Sequence, residues 1–336
     1  MQEKEVIGGE FQIDPDILCW DYKSNLKPSY SLGRTCLYAI LDSLKDSINL
    51  LLIPDYLCCS VAEVPKRLNV PFKHYHVDLS FEPNTNSIKQ LIIDNPGKTA
   101  IVLISYFGMV KLDNTITAIR NEYPDTTIII DDVQNYYGLN SHKDYDYCFT
   151  SLRKWFSVPD GAYILAKKES TYSKSLSSNP VYATYKASGN LLKNHKDIIG
   201  DDIPLELIKF GEELMDKEYR YQCSDLSKEL IKHIDTDQTK SVRLKNAKFL
   251  HDGLTKLGID HLYDSDSVPL FIPIITEKRD SIRSMLFKNK IFCPIHWPVT
   301  DTKSQGENEL YFKELSLICD QRYDETDMER LLQVLA

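Results

Sequence analysis

The chain has 336 residues, 42% of them apolar, 26% charged and 10% aromatic, the profile of a globular protein long enough for about two domains and a large core. Forty Lys and Arg stand against 49 Asp and Glu, a net charge of −9, so no global basic field exists to draw nucleic acid or anionic lipid. No apolar run approaches the roughly 20 residues of a membrane helix, and the opening MQEKEVIGGE lacks the apolar core of a signal peptide, so a cytoplasmic chain is expected, with neither nucleic acid nor membrane as partner.

In chain order, a helix is predicted over 35–44, a strand over 50–53, a helix over 59–68, strands over 72–77 and 100–105, a helix over 114–122, and strands over 127–131, 145–149 and 163–166. Apolar runs alternating with helical patterns mark α/β architecture, and the Ile, Leu and Val of four of these runs suit a mostly parallel central sheet covered on both faces. The polar span 169–202 reads as a loop-rich cover or a short helix pair, followed by a helix over 204–218. Beyond about residue 224 come a helical stretch over 226–257, strand-like 270–275, helix-like 280–289, strand-like 291–295 and a closing helix over 325–335. The expected organisation is a large domain over 1–225, with an N-terminal arm, and a smaller α+β domain over 226–336. Eight cysteines, at 19, 36, 58, 59, 148, 223, 293 and 319, show neither disulfide density nor zinc-ligand spacing, and read as reduced thiols with no metal.

Four features bear on chemistry. Ser31-Leu32-Gly33-Arg34-Thr35 is a glycine turn leading into a helix, either an anion site made of free backbone N–H groups or simply a polar helix start. Asp131 ends the apolar run Ile128-Ile129-Ile130, where a buried carboxylate needs a cationic partner; a surface aspartate or helix cap is the other reading. Lys154 follows a strand, beside Arg153 and ahead of Trp155-Phe156 and Pro159-Asp160-Gly161. Partly apolar surroundings and a neighbouring cation favour a neutral, nucleophilic amine, against the alternative of a solvated surface lysine. Ser151, three residues earlier, offers a hydroxyl to a phosphate. Tyr219-Arg220-Tyr221 suits an anion by bidentate hydrogen bonding, or is a surface segment with aromatic packing.

Taken together, the order is phosphate loop, acidic strand end, lysine at the next strand's exit. A pyridoxal phosphate (PLP) site requires that constellation: a lysine for the aldehyde, a carboxylate for the pyridine nitrogen, and N–H, Ser and Arg groups for the phosphate.

On these residues the chain resembles the fold type I PLP-dependent transferases, specifically the sugar aminotransferase group (DegT/StrS-like). Gly33-Arg34-Thr35-Cys36-Leu37 is similar to the family's first phosphate loop, Ile53-Pro54-Asp55-Tyr56 to its strand with Pro-x-Tyr, and Ile104-Ser105-Tyr106-Phe107-Gly108 to its strand ending in an aromatic and glycine. Asp131 to Gln134 matches its Asp-x-x-Gln, which implies that Asp131 meets the ring nitrogen and Gln134 the ring's hydroxyl side. Lys154, ahead of Asp160-Gly161, takes the position of the lysine that holds the cofactor. The segment 219–226 is similar to one that reaches the neighbouring subunit's phosphate, implying a homodimer bridged by Arg220; Pro294-Ile295-His296 resembles the late Pro-Leu-His.

The departures are Cys58 where the family has a stacking aromatic, which leaves Tyr56, Tyr106 or Phe107 to compensate, and Arg220 and Gln222 in place of asparagine and arginine. The 23 positions from Asp131 to Lys154 (154 − 131) are few for the family. Cys-Asp-Gln-Arg-Tyr at 319–323 and the residues around Lys154 resemble a divergent branch associated with surface polysaccharide synthesis. The resemblance implies a PLP aminotransferase that converts a keto-sugar nucleotide to an amino sugar with glutamate as donor. Arg153, Arg220, His296 and Arg322 are the candidate contacts to the anionic substrates, with positive charge concentrated around Arg34, Lys154 and Arg220. Dehydration or elimination on the same cofactor, and a non-catalytic nucleotide-binding α/β protein, are the alternatives.

Overall fold

The computed structural model describes residues 5–166, 176–300 and 306–336. Its strands in chain order are β1 (Ile7–Gly8), β2 (Leu50–Pro54), β3 (Phe72–Tyr75), β4 (Thr99–Ile104), β5 (Thr127–Asp131), β6 (Tyr147–Ser151), β7 (Ala162–Ala166), β8 (Ile272–Ile275), β9 (Ile291–Phe292) and β10 (Glu314–Leu317). Six of them form the central sheet in the order β3-β2-β4-β5-β6-β7. All neighbours are parallel except β6 and β7. The link 152–161 between those two is shorter than the dozen or so residues a parallel crossover takes, so the chain turns back antiparallel. That tight return holds Lys154 at the end of β6.

Helix α1 (Gly33–Leu44) precedes the sheet's first strand, and the crossovers are α2 (Cys59–Arg67), α3 (Thr85–Asp94) and α4 (Asp113–Glu122). Helix α3 escapes sequence pattern because only Ile88 of its ten residues is buried; its start is set by Asn84, whose side chain accepts the Ser87 N–H. The polar span 169–202, whose residues 169–175 lie outside the described residues, contains α5 (Val181–Leu192) and α6 (Lys196–Ile199), and is followed by α7 (Asp202–Lys217). The described part of the span therefore holds a helix pair. Helices α5 and α7 meet through glycines: a Cβ on Gly189 would lie 2.6 Å from Ile208 Cγ1, and one on Gly211 2.6 Å from Lys186 Cγ. The buried face of α5 is Tyr182, Ala183, Lys186, Ala187, Gly189 and Asn190, a stripe too small and polar for apolar periodicity to mark.

The stretch predicted as one helix over 226–257 is two, α8 (Asp225–Leu230) and α9 (Thr236–Leu257), because Asp235 caps the second by accepting the Gln238 N–H. Then follow α10 (Arg279–Lys288), α11 (Leu310–Lys313) and α12 (Glu325–Leu335). Strands β8 and β10 pair antiparallel, while β9 keeps only Ile291 and Phe292 of the expected strand and pairs in parallel with β1. The N-terminal arm is thereby stitched to the C-terminal elements. One apolar cluster runs from the sheet through α1 and α9 to α12.

Candidate active site

Strands β4, β5 and β6 end side by side at Ile104, Asp131 and Ser151, and at that edge opens a cavity of about 510 Å³. Ligands of open parallel sheets bind at this carboxyl edge. Besides those three residues, Gly33, Arg34, Cys58, Gln134, Arg153, Lys154 and His296 line it.

Asp131 and Asp132 are adjacent and both buried, and their surroundings separate them. Asp132 is answered from within: His142 Nε2 lies 3.0 Å away, and Asn135 and the Cys148 thiol donate to it. Asp131 receives one N–H, from Val133 at 3.0 Å, and among the described residues has no cationic partner. Burial pushes its carboxyl up to about 7, the Val133 N–H acting in opposition. Gln134 accepts the Phe107 N–H through Oε1 at 2.9 Å, which leaves its amide nitrogen as a donor in the cavity wall.

Lys154 sits on the single turn Leu152–Lys154 directly after β6 and lines the cavity. Among the described residues its amine makes no hydrogen bond or ion pair. The Arg153 guanidinium, then desolvation, bring it down to about 8. Arg153 itself is engaged by Glu212 of α7 at 3.3 Å, and the same carboxylate bonds Lys186 of α5, whose side chain is buried. Glu10, from the N-terminal arm, stands 3.7 Å from Lys186.

At the start of α1, the Thr35 and Cys36 N–H groups bond the Leu32 carbonyl, leaving those of Gly33 and Arg34 to an outside acceptor. A Cβ on Gly33 would stand 2.6 Å from Val133 Cγ2 and 3.6 Å from Ser151 Cβ, so only glycine allows the helix start to approach the end of β5 so closely. The Ser151 hydroxyl beside it is buried and, among the described residues, has no hydrogen-bond partner. Cys58 caps α2 with extended backbone, and hydrogen bonds from Cys59 and from Ser60, at 3.1 Å, hold its thiol below the usual value.

Several residues expected at the site lie behind it. The Thr35 hydroxyl donates to the Tyr219 carbonyl at 2.6 Å. Tyr56 donates to the His296 carbonyl and Tyr106 to the Tyr56 carbonyl, within a buried aromatic group with Phe81, Trp297 and Tyr311. Arg220 is turned outward, bonded to Glu218 at 2.6 Å and stacked on Tyr38. Arg322 is held by Asp320 at 2.8 Å and donates to the Gly9 and Glu10 carbonyls, clamping the N-terminal arm beside an adjoining cavity that Lys154 also borders. Sequence reasoning missed Glu10, Glu212 and Asp216, which face the cavity. Asp216 and Glu212 lie one helical turn apart on α7, a spacing visible only once that helix is known to cover the site. Asp216 pairs with Arg34 at 2.8 Å.

No protein-family model and no curated protein matches the sequence. Solved structures match over nearly the whole chain. A DegT DnrJ EryC1 StrS aminotransferase from Brucella abortus superposes with a TM-score of 0.65 at 15% identity, covering 97% of this chain and 90% of that one. DesI, solved in the presence of its TDP-sugar product, gives 0.66 at 10% identity over 100% and 93% of the two chains. A Streptococcus pneumoniae protein named as a sugar aminotransferase, in its PLP form, gives 0.64 at 14% over 97% and 91%. The sheet order, the carboxyl-edge cavity and these superpositions agree: the chain has the fold type I architecture of the DegT/DnrJ/EryC1/StrS aminotransferases.

Proposed function

We propose that the chain is a PLP-dependent aminotransferase that converts a keto-sugar nucleotide into an amino sugar with glutamate as donor, working as a cytoplasmic homodimer in surface polysaccharide synthesis. The observation that carries this reading is three unanswered groups in one cavity. Among the described residues Lys154 has no partner for its amine, Asp131 no cation for its buried carboxylate, and Ser151, beside the start of α1, no partner for its hydroxyl. Those groups fit the aldehyde, the pyridine nitrogen and the phosphate of one PLP molecule, and a cavity of 510 Å³ is within the roughly 300–1,000 Å³ of small-molecule sites.

When bound, PLP supplies an electron sink for cleavage at the donor's α-carbon. Asp131 takes the protonated ring nitrogen, and that cation offsets the burial that holds its carboxyl near 7. Ser151 and the free N–H groups of α1 take the phosphate. Lys154, near 8, holds a usable fraction of neutral amine at neutral pH, and once released it carries the proton lost from the α-carbon as general base and returns it as acid. Cys58 would border the ring in place of a stacking aromatic, and Gln134 would serve the ring's hydroxyl side. Arg153 and His296, in the cavity wall, would face the substrate, and Arg220, held outward by Glu218, would contact a partner subunit. Both proposed units, 1–225 and 226–336, contribute residues to the cavity wall, the second through Leu270, Phe271, Pro294, His296 and Trp297. The DesI superposition, on a protein solved with a TDP-sugar product, supports the substrate class.

The test is incubation with PLP, a keto-sugar nucleotide and glutamate. Stoichiometric 2-oxoglutarate and amino sugar are expected; a modified sugar without 2-oxoglutarate overturns the aminotransferase reading.

A further inference from the structure

His296, on the wall of the cavity, is tied to two buried polar residues that the reading above does not use. Glu314 and Ser316 stand at alternate positions of β10, so both side chains leave the same face of the strand, and both are fully buried. Glu314 Oε2 accepts the His296 backbone N–H at 2.7 Å, the Ser316 hydroxyl meets Glu314 Oε1 at 2.5 Å, and Ser316 Oγ meets His296 Nδ1 at 2.7 Å. Among the described residues Nε2 makes no hydrogen bond.

The ring packs against Phe107, Phe271 and Trp297, with centroids 5.6, 5.2 and 5.4 Å away. Those apolar neighbours, and then the charge of Lys154, bring the imidazole down to about 3, so His296 stays neutral and cannot store a proton. Glu314 is the reverse case: burial pushes its carboxyl up to about 8, against the Ser316 hydroxyl and the nearby Arg279. The remaining titratable groups against Glu314 are Tyr56 and Cys293, both raised by burial and uncharged in this range.

Resting on the aminotransferase reading, we propose that His296, Ser316 and Glu314 form a proton relay that serves the oxygen of the sugar substrate. With Glu314 ionised, Ser316 donates to Oε1 and His296 Nδ1–H donates to Ser316 Oγ, which leaves Nε2 a bare acceptor. When Nε2 takes a proton from a substrate hydroxyl or water, Nδ1 gives its proton to Ser316 Oγ as Ser316 gives its own to Glu314 Oε1. One N–H bond forms as one breaks, one O–H bond is exchanged at Ser316, and one O–H bond forms on Glu314. The ring is neutral before and after, and the reverse sequence returns the proton. Conversion of a ketone to an amine expels the carbonyl oxygen as water, which requires protons at oxygen while Lys154 serves the α-carbon. His296 is the catalytic residue of the relay; Ser316 and Glu314 act through it.

Nitrogen-15 NMR of histidine-labelled full-length protein reads which ring nitrogen carries the proton. In the cofactor-free protein His296 is expected to remain neutral while its proton moves from Nε2 to Nδ1 as pH rises through about 8. Glu314→Gln and Ser316→Ala each abolish that exchange. With sugar substrate, Glu314→Gln also loses the pH limb near 8 and roughly 10²-fold in kcat, its cofactor absorbance unchanged. An imidazolium forming near neutral pH, a single tautomer throughout in the wild type, or an exchange that persists in both variants overturns the relay. The NMR readout needs no cofactor, whereas the absorbance tests the aminotransferase reading alone.

Discussion

Asp131 and Asp132 differ by one position and point to opposite sides of the strand end, as alternation requires. One is satisfied by His142, Asn135 and Cys148, and the other is left for a ligand. Asp131→Asn keeps the shape and removes the charge, so cofactor should still bind while kcat falls by roughly 10²–10³, measured by steady-state assay against an absorbance titration. Ser151→Ala should do the opposite. A charge-assisted hydrogen bond is worth about 1.5–3 kcal/mol, so the same titration should show cofactor affinity falling by roughly one to two orders of magnitude. Because the Lys154 pKa is lowered to about 8, the neutral amine dominates above that value and PLP uptake should accelerate as pH rises through it; stopped-flow absorbance checks this. A rate flat through that range would mean Lys154 does not attack. Lys154 and Asp131 were legible in the sequence because each follows a strand run directly. The outward turn of Arg220 and the engagement of Arg34 and Arg322 were not. Arg34 meets an acid 182 positions away, and the Glu218 and Asp320 that hold Arg220 and Arg322 became partners only through the local bends of the chain.

Among the elements, the parallel strands were readable as apolar runs, and α5 was not, because its buried face mixes Lys186, Gly189 and Asn190 with small residues and one tyrosine. Lys186 is buried there against Glu212, which also holds Arg153 beside Lys154. Removing one partner of a fully buried pair costs about 3–5 kcal/mol. Glu212 retains a third of its exposure, so Lys186→Met should cost about 2 kcal/mol, read as a shift in the urea midpoint at constant m. Neighbouring Arg153 and Lys186 outweigh burial and hold Glu212 down to about 2 against an ordinary 4.5. A depressed carboxylate contributes stability above the unfolded value, and that stability is lost as pH falls from 4.5 toward 2. Glu212→Gln should therefore flatten the acid limb of the stability curve. Strand β10 was missed for a related reason: Glu314 and Ser316 break an apolar pattern that their bonds to His296 make tolerable in the interior.

For the whole molecule, the net charge of −9 implied that cations must gather at the site. Arg34 and Lys154 line the cavity, whereas Arg220 is turned outward to Glu218, and the cavity's carboxylates outnumber its cations. Arg34, Arg153 and Lys154 line the cavity together with Glu10, Asp131, Glu212 and Asp216; carboxylates pair with Arg34 and Arg153, whereas among the described residues Lys154 has no such partner. The most direct measurement of the central claim is reduction of the PLP-treated protein with borohydride, followed by peptide mass mapping. One reduced cofactor per chain, on Lys154 and absent from Lys154→Ala, is the predicted result; no adduct, or an adduct carried equally by the variant, would contradict the account.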